Sequence, residues 1–266
     1  MKLFSPDSAH WYQRDGVPLH SVTSAKGEPR PTTLRDARKL SLLPSVTNIL
    51  SVIAKPELTA WLQEQAVMAA LTLPRVVGES EDAFAKRVVA DSQTTRDGAA
   101  DFGTAFHHGA QRVAQTLEVD QTDRLAPWLN YYRDWFQANC VRLLWTERVL
   151  VNAELGYAGT ADLLMEHQAY GLTLVDLKTQ GVKAAMGPST YKSWGYQLAA
   201  YRRALGKPVV CVNLILNSRE PHEPVEAPWS EEELERCWVA FEAARRLWMI
   251  EKRYDPTKEK AEMGRM

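Results

Sequence analysis

The chain has 266 residues, 45% of them apolar and 24% charged, with a formal net charge of -1. That composition is ordinary for a water-soluble globular protein, with enough chain for one large domain or a core with an added subdomain. The near-zero charge argues against a protein that coats nucleic acid over its whole surface, but a cleft needs only a local positive lining. No stretch approaches the ~18 apolar residues of a membrane span. The N-terminal MKLFSPDSAHWYQRDG carries no apolar signal core. Cys140, Cys211 and Cys237 are widely spaced and form no C-x-x-C pair. Free thiols in a reducing cytoplasm are therefore expected, without a disulfide framework or a cysteine-built zinc or iron–sulfur site.

In chain order, residues 1–43 are rich in Pro, Gly, Ser and charge and read as irregular or short-strand structure. Pro44-Ser45 marks a helix start with Ser45 as N-cap. A second helix is expected after Pro56, and Pro74 and Gly78 break it. A third starts behind Ser80. From about Ala99 to Leu117, Phe102, Phe106, Ala110 and Val113 recur at steps of three and four, which predicts a fourth, amphipathic helix. A fifth is expected over about 123–139. The period then changes. Residues 141–152, 156–167 and 171–179 read as strands, the last two joined as a hairpin by the short link at 168–170. Residues 189–205 return to helical spacing. PVVCVNLILN, 208–217, is a nearly continuous apolar run of the kind buried on both faces of a sheet. Residues 229–252 predict a long helix capped by Ser230, with Glu231–Glu233 in its first turn, and the last dozen residues read as a frayed tail. This order predicts an α/β (α+β) fold: a mixed sheet flanked by helices, with a helical N-terminal addition. The expected division is a mainly helical subdomain over 1–95, a core over 96–218, and a C-terminal helix with its tail over 219–266.

The chemistry concentrates in Gly159-Thr-Ala-Asp162 and Val175-Asp176-Leu177-Lys178-Thr179. Side chains two apart on a strand share a face, so Asp176 and Lys178 point together while Val175 and Leu177 point to an apolar side. A hairpin can bring Asp162 beside Asp176. A lone D-x-K on a strand is usually a solvated ion pair, but here a charged pair interrupts an apolar strand, and burying such groups is costly. Gln197 and Tyr201, four apart, lie on one helical face. Gly103-x-x-x-His107-His108 lies on the helix at 99–117, where two adjacent histidines point about 100° apart, so at most one is expected to serve a site.

The ordered set G-x-x-x-H, G-x-x-D, D-x-K-T and Q-x-x-x-Y resembles the RecB-like branch of the PD-(D/E)XK nuclease superfamily, which includes recombination, CRISPR-associated, mitochondrial-maintenance and phage exonucleases. The resemblance covers about residues 99–217 and implies a restriction-endonuclease-like core. It implies a metal centre of His107, Asp162, Asp176 and the Leu177 carbonyl, with Glu147 as a weaker match to an upstream acid. It gives Lys178 the role of orienting the attacking water, and gives Gln197 and Tyr201 that of completing the site and contacting phosphate. The ion implied is Mg2+ or Mn2+; no iron–sulfur cysteines and no nucleotide-binding phosphate loop accompany it. DNA, as single strands or strand ends, is the implied partner, with no membrane and with a recombination or repair protein as a further candidate. The implied function is a metal-dependent exonuclease in repair, recombination or phage DNA processing. A nuclease fold that has lost catalysis and only binds DNA or protein is the alternative. Lys183, Tyr191, Lys192 and Trp194 flank the motifs as substrate contacts. Arg202, Arg203 and Lys207 are weaker candidates for phosphate, and Tyr157 and Tyr196 for base stacking.

Overall fold

The computed structural model describes residues 10–181 and 189–258, with the backbone alone at 57, 95 and 96. Five strands form the central sheet: β5 (Cys140–Asn152), β6 (Tyr157–His167), β7 (Gly171–Gln180), β8 (Val210–Asn217) and β9 (Val225–Trp229). They lie in sequence order. The pairs β5–β6, β6–β7 and β8–β9 are antiparallel, and β7–β8 is parallel. This is the mixed sheet flanked by helices that the change of hydrophobic period predicts. The parallel step needs a crossover, which α6 (Lys192–Leu205) supplies.

Helices cover both faces. Against one lie α4 (Glu81–Thr116) and α5 (Ala126–Asn139), with Phe106, Val113, Leu129 and Tyr132 packed on Leu163, Met165, Val175 and Leu177. Against the other lie α6 and α7 (Glu231–Lys252), with Leu198, Phe241 and Trp248 packed on Leu164, Leu174 and Cys211. The N-terminal segment joins this second core through Trp11, Ala37, Leu42, Val46 and Ile49. It contains β1 (Trp11–Tyr12), β2 (Ser21–Thr23), β3 (Pro29–Pro31), α1 (Leu34–Leu40), β4 (Leu43–Pro44) and α2 (Val46–Ile49), and α3 (Pro56–Thr72) follows it.

Four differences from the sequence expectations have local causes. The helix α1 replaces irregular chain because Thr33 and Asp36 form a capping box, a T-x-x-D signal embedded among prolines. The helices expected behind Ser80 and from Ala99 are one, α4. Gly98 stands at the expected break, but a single helical glycine costs only about 1 kcal/mol, which the helix tolerates as it does Gly103 and Gly109. It therefore runs unbroken through 95–96. Strand β9 adds to the sheet edge, where Pro228 withholds no needed ladder donor. Finally, the chain after α7 is held as far as Lys258: Tyr254 Oη donates to the Leu42 carbonyl at 2.7 Å, and Arg14 donates to the Pro256 carbonyl at 2.8 Å. The rest of the expected tail lies outside the described residues, as does Lys183. No described helix is long and apolar enough to cross a membrane.

Candidate metal centre and its lysine

The β6–β7 ladder runs from His167↔Gly171 to Leu163↔Val175 and stops. One step further, Asp162 stands opposite Asp176. With no strand partner there, the Leu177 N–H donates to Asp162 Oδ2 at 2.7 Å. The alternation of β6 slips at this point: Ala161 and Leu164, three apart, both face the α6–α7 core, while Leu163 faces the α4–α5 core. Asp162 sits at the slip, and there it meets His107 of α4, whose Nδ1 lies 3.5 Å from Oδ1. His108, the neighbouring candidate, is exposed.

Glu147 completes this cluster. It lies between the pairs Thr146↔Leu163 and Arg148↔Ala161, so it faces Asp162 across β5–β6, and its φ of 47° is left-handed. Ligand atoms of His107, Glu147 and Asp162 all lie within 4.8 Å of one another. Two donors on one hard cation can be no further apart than twice a ~2.0–2.6 Å bond, so the spacing fits a single ion. One nitrogen and two carboxylates also fit the donor chemistry of manganese or magnesium better than that of a soft metal.

Asp176 is buried beside this group. Its Oδ2 accepts from Lys178 Nζ at 2.7 Å and from Asn213 Nδ2 at 2.7 Å. Lys178 Nζ also donates to Gln197 Oε1 at 3.2 Å, and Gln197 Nε2 donates to Tyr201 Oη at 3.1 Å. Thus α6 closes over the D-x-K pair through Gln197 and Tyr201. Gly159 makes this possible, since a Cβ there would stand 2.7 Å from the Tyr201 ring.

Three carboxylates, Glu147, Asp162 and Asp176, face one ammonium. The surplus of negative charge appears in their titration. Burial, then the charge of Asp162, pushes Glu147 up to about 7. Burial also pushes Asp176 up; the Lys178 ammonium offsets part of the rise and the Asp162 charge adds to it. Burial acts upward on Asp162 too, but His107, Lys178 and the Leu177 N–H outweigh it and hold this carboxyl below its usual range. Burial acts downward on His107, yet the contact with Asp162 leaves the imidazole more basic than usual. Tyr201 is raised well above its usual range, chiefly by burial, and stays a neutral hydroxyl.

The flanking candidates divide. Tyr191 and Trp194 meet edge to face at 4.8 Å at the start of α6, and Lys178 Nζ lies 6.0 Å over the Trp194 ring. Lys192 is exposed on the same turn, and Tyr196 is partly buried. Tyr157 is not available for stacking: it is fully buried, edge-on to Phe241, with its hydroxyl donating to the Ala200 carbonyl. Arg202 pairs with Glu231 at 2.8 Å and Arg203 lies over Trp238, so both are engaged on α7.

Sequence reasoning missed Asn213. It pairs in register with Asp176, is fully buried, and accepts from Trp229 Nε1 at 2.7 Å through Oδ1. That bond fixes the amide so that its NH2 must face Asp176. The signal was present: Asn213 is the one polar residue inside the apolar run 210–216, and a buried amide needs partners.

No protein-family model and no curated protein matches the chain. Among solved structures it is similar to an Eubacterium rectale protein named "Putative exonuclease", with 10% identity and a TM-score of 0.37 over 58% of this chain and 67% of that one. It is also similar to the protein SSO0001, with 12% identity and a TM-score of 0.31 over 70% of this chain and 85% of that one. Similarity at this level assigns no family.

Proposed function

We propose that the chain is a divalent-metal-dependent deoxyribonuclease of the RecB-like PD-(D/E)XK type, cutting phosphodiester bonds from a strand end. The observation that carries this reading is the juxtaposition of a single-ion donor cluster, His107, Glu147 and Asp162, with a buried Asp176–Lys178 pair. A magnesium or manganese ion held there would supply Lewis-acid polarisation of the phosphoryl group and offset its developing charge.

The chain's own groups have separable tasks. Asp162 is oriented by the Leu177 N–H. An extended residue points its carbonyl to the same side as its N–H, so the Leu177 carbonyl is turned toward Asp162 and joins the donor set. Asp176 fixes Lys178, and its free oxygen completes the acidic wall. An ammonium has three N–H donors, and Asp176 and Gln197 take two. The third serves the attacking water or a phosphate oxygen as a compact positive charge. Gln197 and Tyr201 hold that lysine in place and exclude water behind it. Tyr191, Lys192 and Trp194 stand at the mouth of the site to receive a strand, and Lys183 belongs to the same proposed contact set. Action at free ends and work in repair, recombination or phage DNA processing rest on the motif resemblance.

The test is digestion of end-labelled, end-blocked and circular DNA, single- and double-stranded, with Mg2+ or Mn2+. Cleavage of open ends alone is expected. Asp176→Asn and Lys178→Ala are expected to lower the rate by about 10³-fold or more, since each removes a group acting on the reacting phosphate. Wild-type rates in both folded variants would remove this site from the mechanism.

A further inference from the structure

We propose that Thr160 is a further substrate contact, a hydroxyl that Tyr12 of the N-terminal segment holds with its proton turned toward the phosphate next to the one being cut. The substrate class rests on the nuclease reading above; the orientation of the hydroxyl does not. Beyond Leu163, β6 has lost β7 as a neighbour, and the N-terminal segment takes that side. Ser45 bridges Ala158 in parallel, while Val151 pairs with Ala158 on the other edge. Tyr12 stands opposite Leu43 in the β1–β4 pair, and the two pack with Ala158 against Val149 and Val151. The next pair along this face is Val149↔Thr160. Asp162 follows two residues further on β6, on the face that Thr160 shares and about 6.6 Å along the strand. The Thr160 hydroxyl is therefore one row from the metal donors.

Tyr12 is buried, and its Oη lies 3.0 Å from Thr160 Oγ1. On distance alone either oxygen could donate. Burial decides between them. A buried hydroxyl must place its proton on an acceptor, and among the described residues Thr160 Oγ1 is the side-chain acceptor that Tyr12 meets. Burial raises the Tyr12 phenol above its usual range and the Glu147 charge adds to the rise, so the phenol keeps its proton. Tyr12 therefore donates and Thr160 accepts. A threonine hydroxyl has one proton of its own, and this bond leaves it free to turn away from Tyr12. Thr160 is partly exposed, so its proton has the open side of the Asp162 face to turn to. Glu147, Asp162 and Asp176 already make that cleft rich in acceptors; a directed hydroxyl donor is what a phosphate oxygen can use there. Tyr12, being buried, touches no strand and acts through Thr160 as a positioning residue.

The test is steady-state cleavage of end-labelled DNA by the full chain with Mg2+ or Mn2+. A contact to a neighbouring phosphate is made alike in the ground state and the transition state, so its loss raises KM and spares kcat. Thr160→Val keeps a branched side chain suited to a strand. It should raise KM about tenfold, as loss of a hydrogen bond to a charged group does, with kcat within about twofold of wild type. Thr160→Ser keeps the hydroxyl and should restore most of the affinity. Tyr12→Phe keeps the ring and should raise KM about threefold, the smaller effect of freeing a hydroxyl rather than deleting it. In the double variant it should add nothing to Thr160→Val, because it acts through that hydroxyl. A merely structural pair behaves otherwise: melting temperatures fall and KM stays, and that result would overturn the proposal. Additive effects in the double variant, or a fall in kcat at constant KM, would overturn it too. Should Tyr12→Phe fail to fold, Thr160→Val and Thr160→Ser decide the matter at their partly exposed position. Failure of the nuclease reading is distinct, since wild type would then cleave with neither ion and both readings would fall together.

Discussion

At the scale of single residues, Glu147 has the most measurable consequence. Its carboxyl titrates at about 7 in the folded chain against an ordinary value of 4.5. The folded state therefore binds that proton more tightly than the unfolded one. The metal-free protein should lose this contribution as pH rises from about 4.5 to about 7, and lack it entirely above. Glu147→Gln removes the loss. At pH 8 in chelator the variant should be more stable than wild type by on the order of 2 kcal/mol after allowance for solvent screening. The difference should vanish near pH 4, and melting curves across that range check it. Asn213 gives a second prediction. Asn213→Ala leaves Asp176 Oδ2 with one partner fewer and the Trp229 indole N–H with none, at a cost of about 1–3 kcal/mol. The freed Asp176 carboxylate should also lower kcat by about 10–100-fold, as loss of a supporting contact does at metal sites. An unchanged kcat in a destabilised variant would make Asn213 a packing residue only. Both residues show why the site was partly legible. Asp176 and Lys178 are two apart on one strand, so their meeting follows from the pleat. Glu147 reaches Asp162 only through the register of β5, which is shifted at Cys140/Arg142 and Leu143/Trp145, and alternation of apolar residues does not reveal such shifts.

At the scale of elements, the placement of α6 decides whether the lysine is held. A Cβ on Gly195 would lie 2.7 Å from both Cys237 Sγ and the Trp229 ring. Gly195→Ala should therefore lift α6 from α7 and β9, cost about 1–3 kcal/mol as overpacking does, and draw Gln197 and Tyr201 away from Lys178. Stability and kcat are expected to fall together. Ser230→Ala offers the contrast: it removes the capping box of α7, should cost about 1 kcal/mol, and should leave kcat unchanged. Thermal melts and cleavage rates of the two variants separate helix position from helix stability. The long elements were legible because each repeats its period over many residues, as β6, β7 and α7 do. Those that were not depend on little sequence: α1 on one Thr–Asp pair, β9 on five residues at an edge. Tyr157 reads as a stacking surface in the sequence because an aromatic beside a motif looks the same whether it faces solvent or, as here, Phe241.

At the scale of the whole molecule, cation binding should couple to stability. An ion that binds only the folded chain at 100 times its dissociation constant adds about 2.7 kcal/mol, which for a chain of this size raises Tm by roughly 5–10 °C. Mg2+ or Mn2+ should produce that rise in wild type at pH 8 and not in Asp162→Ala, as scanning calorimetry with and without chelator would show. The same groups are scattered along the chain. His107 comes from α4, Glu147 from β5, Asp162 from β6, Asp176 and Lys178 from β7, Gln197 from α6, and Asn213 from the strand that closes the parallel step. No short segment carries the whole of the proposed site. On the nuclease reading proposed above, a nascent, nicked or half-folded copy would be harmless to the genome around it, because hydrolysis would need all six of these elements in place.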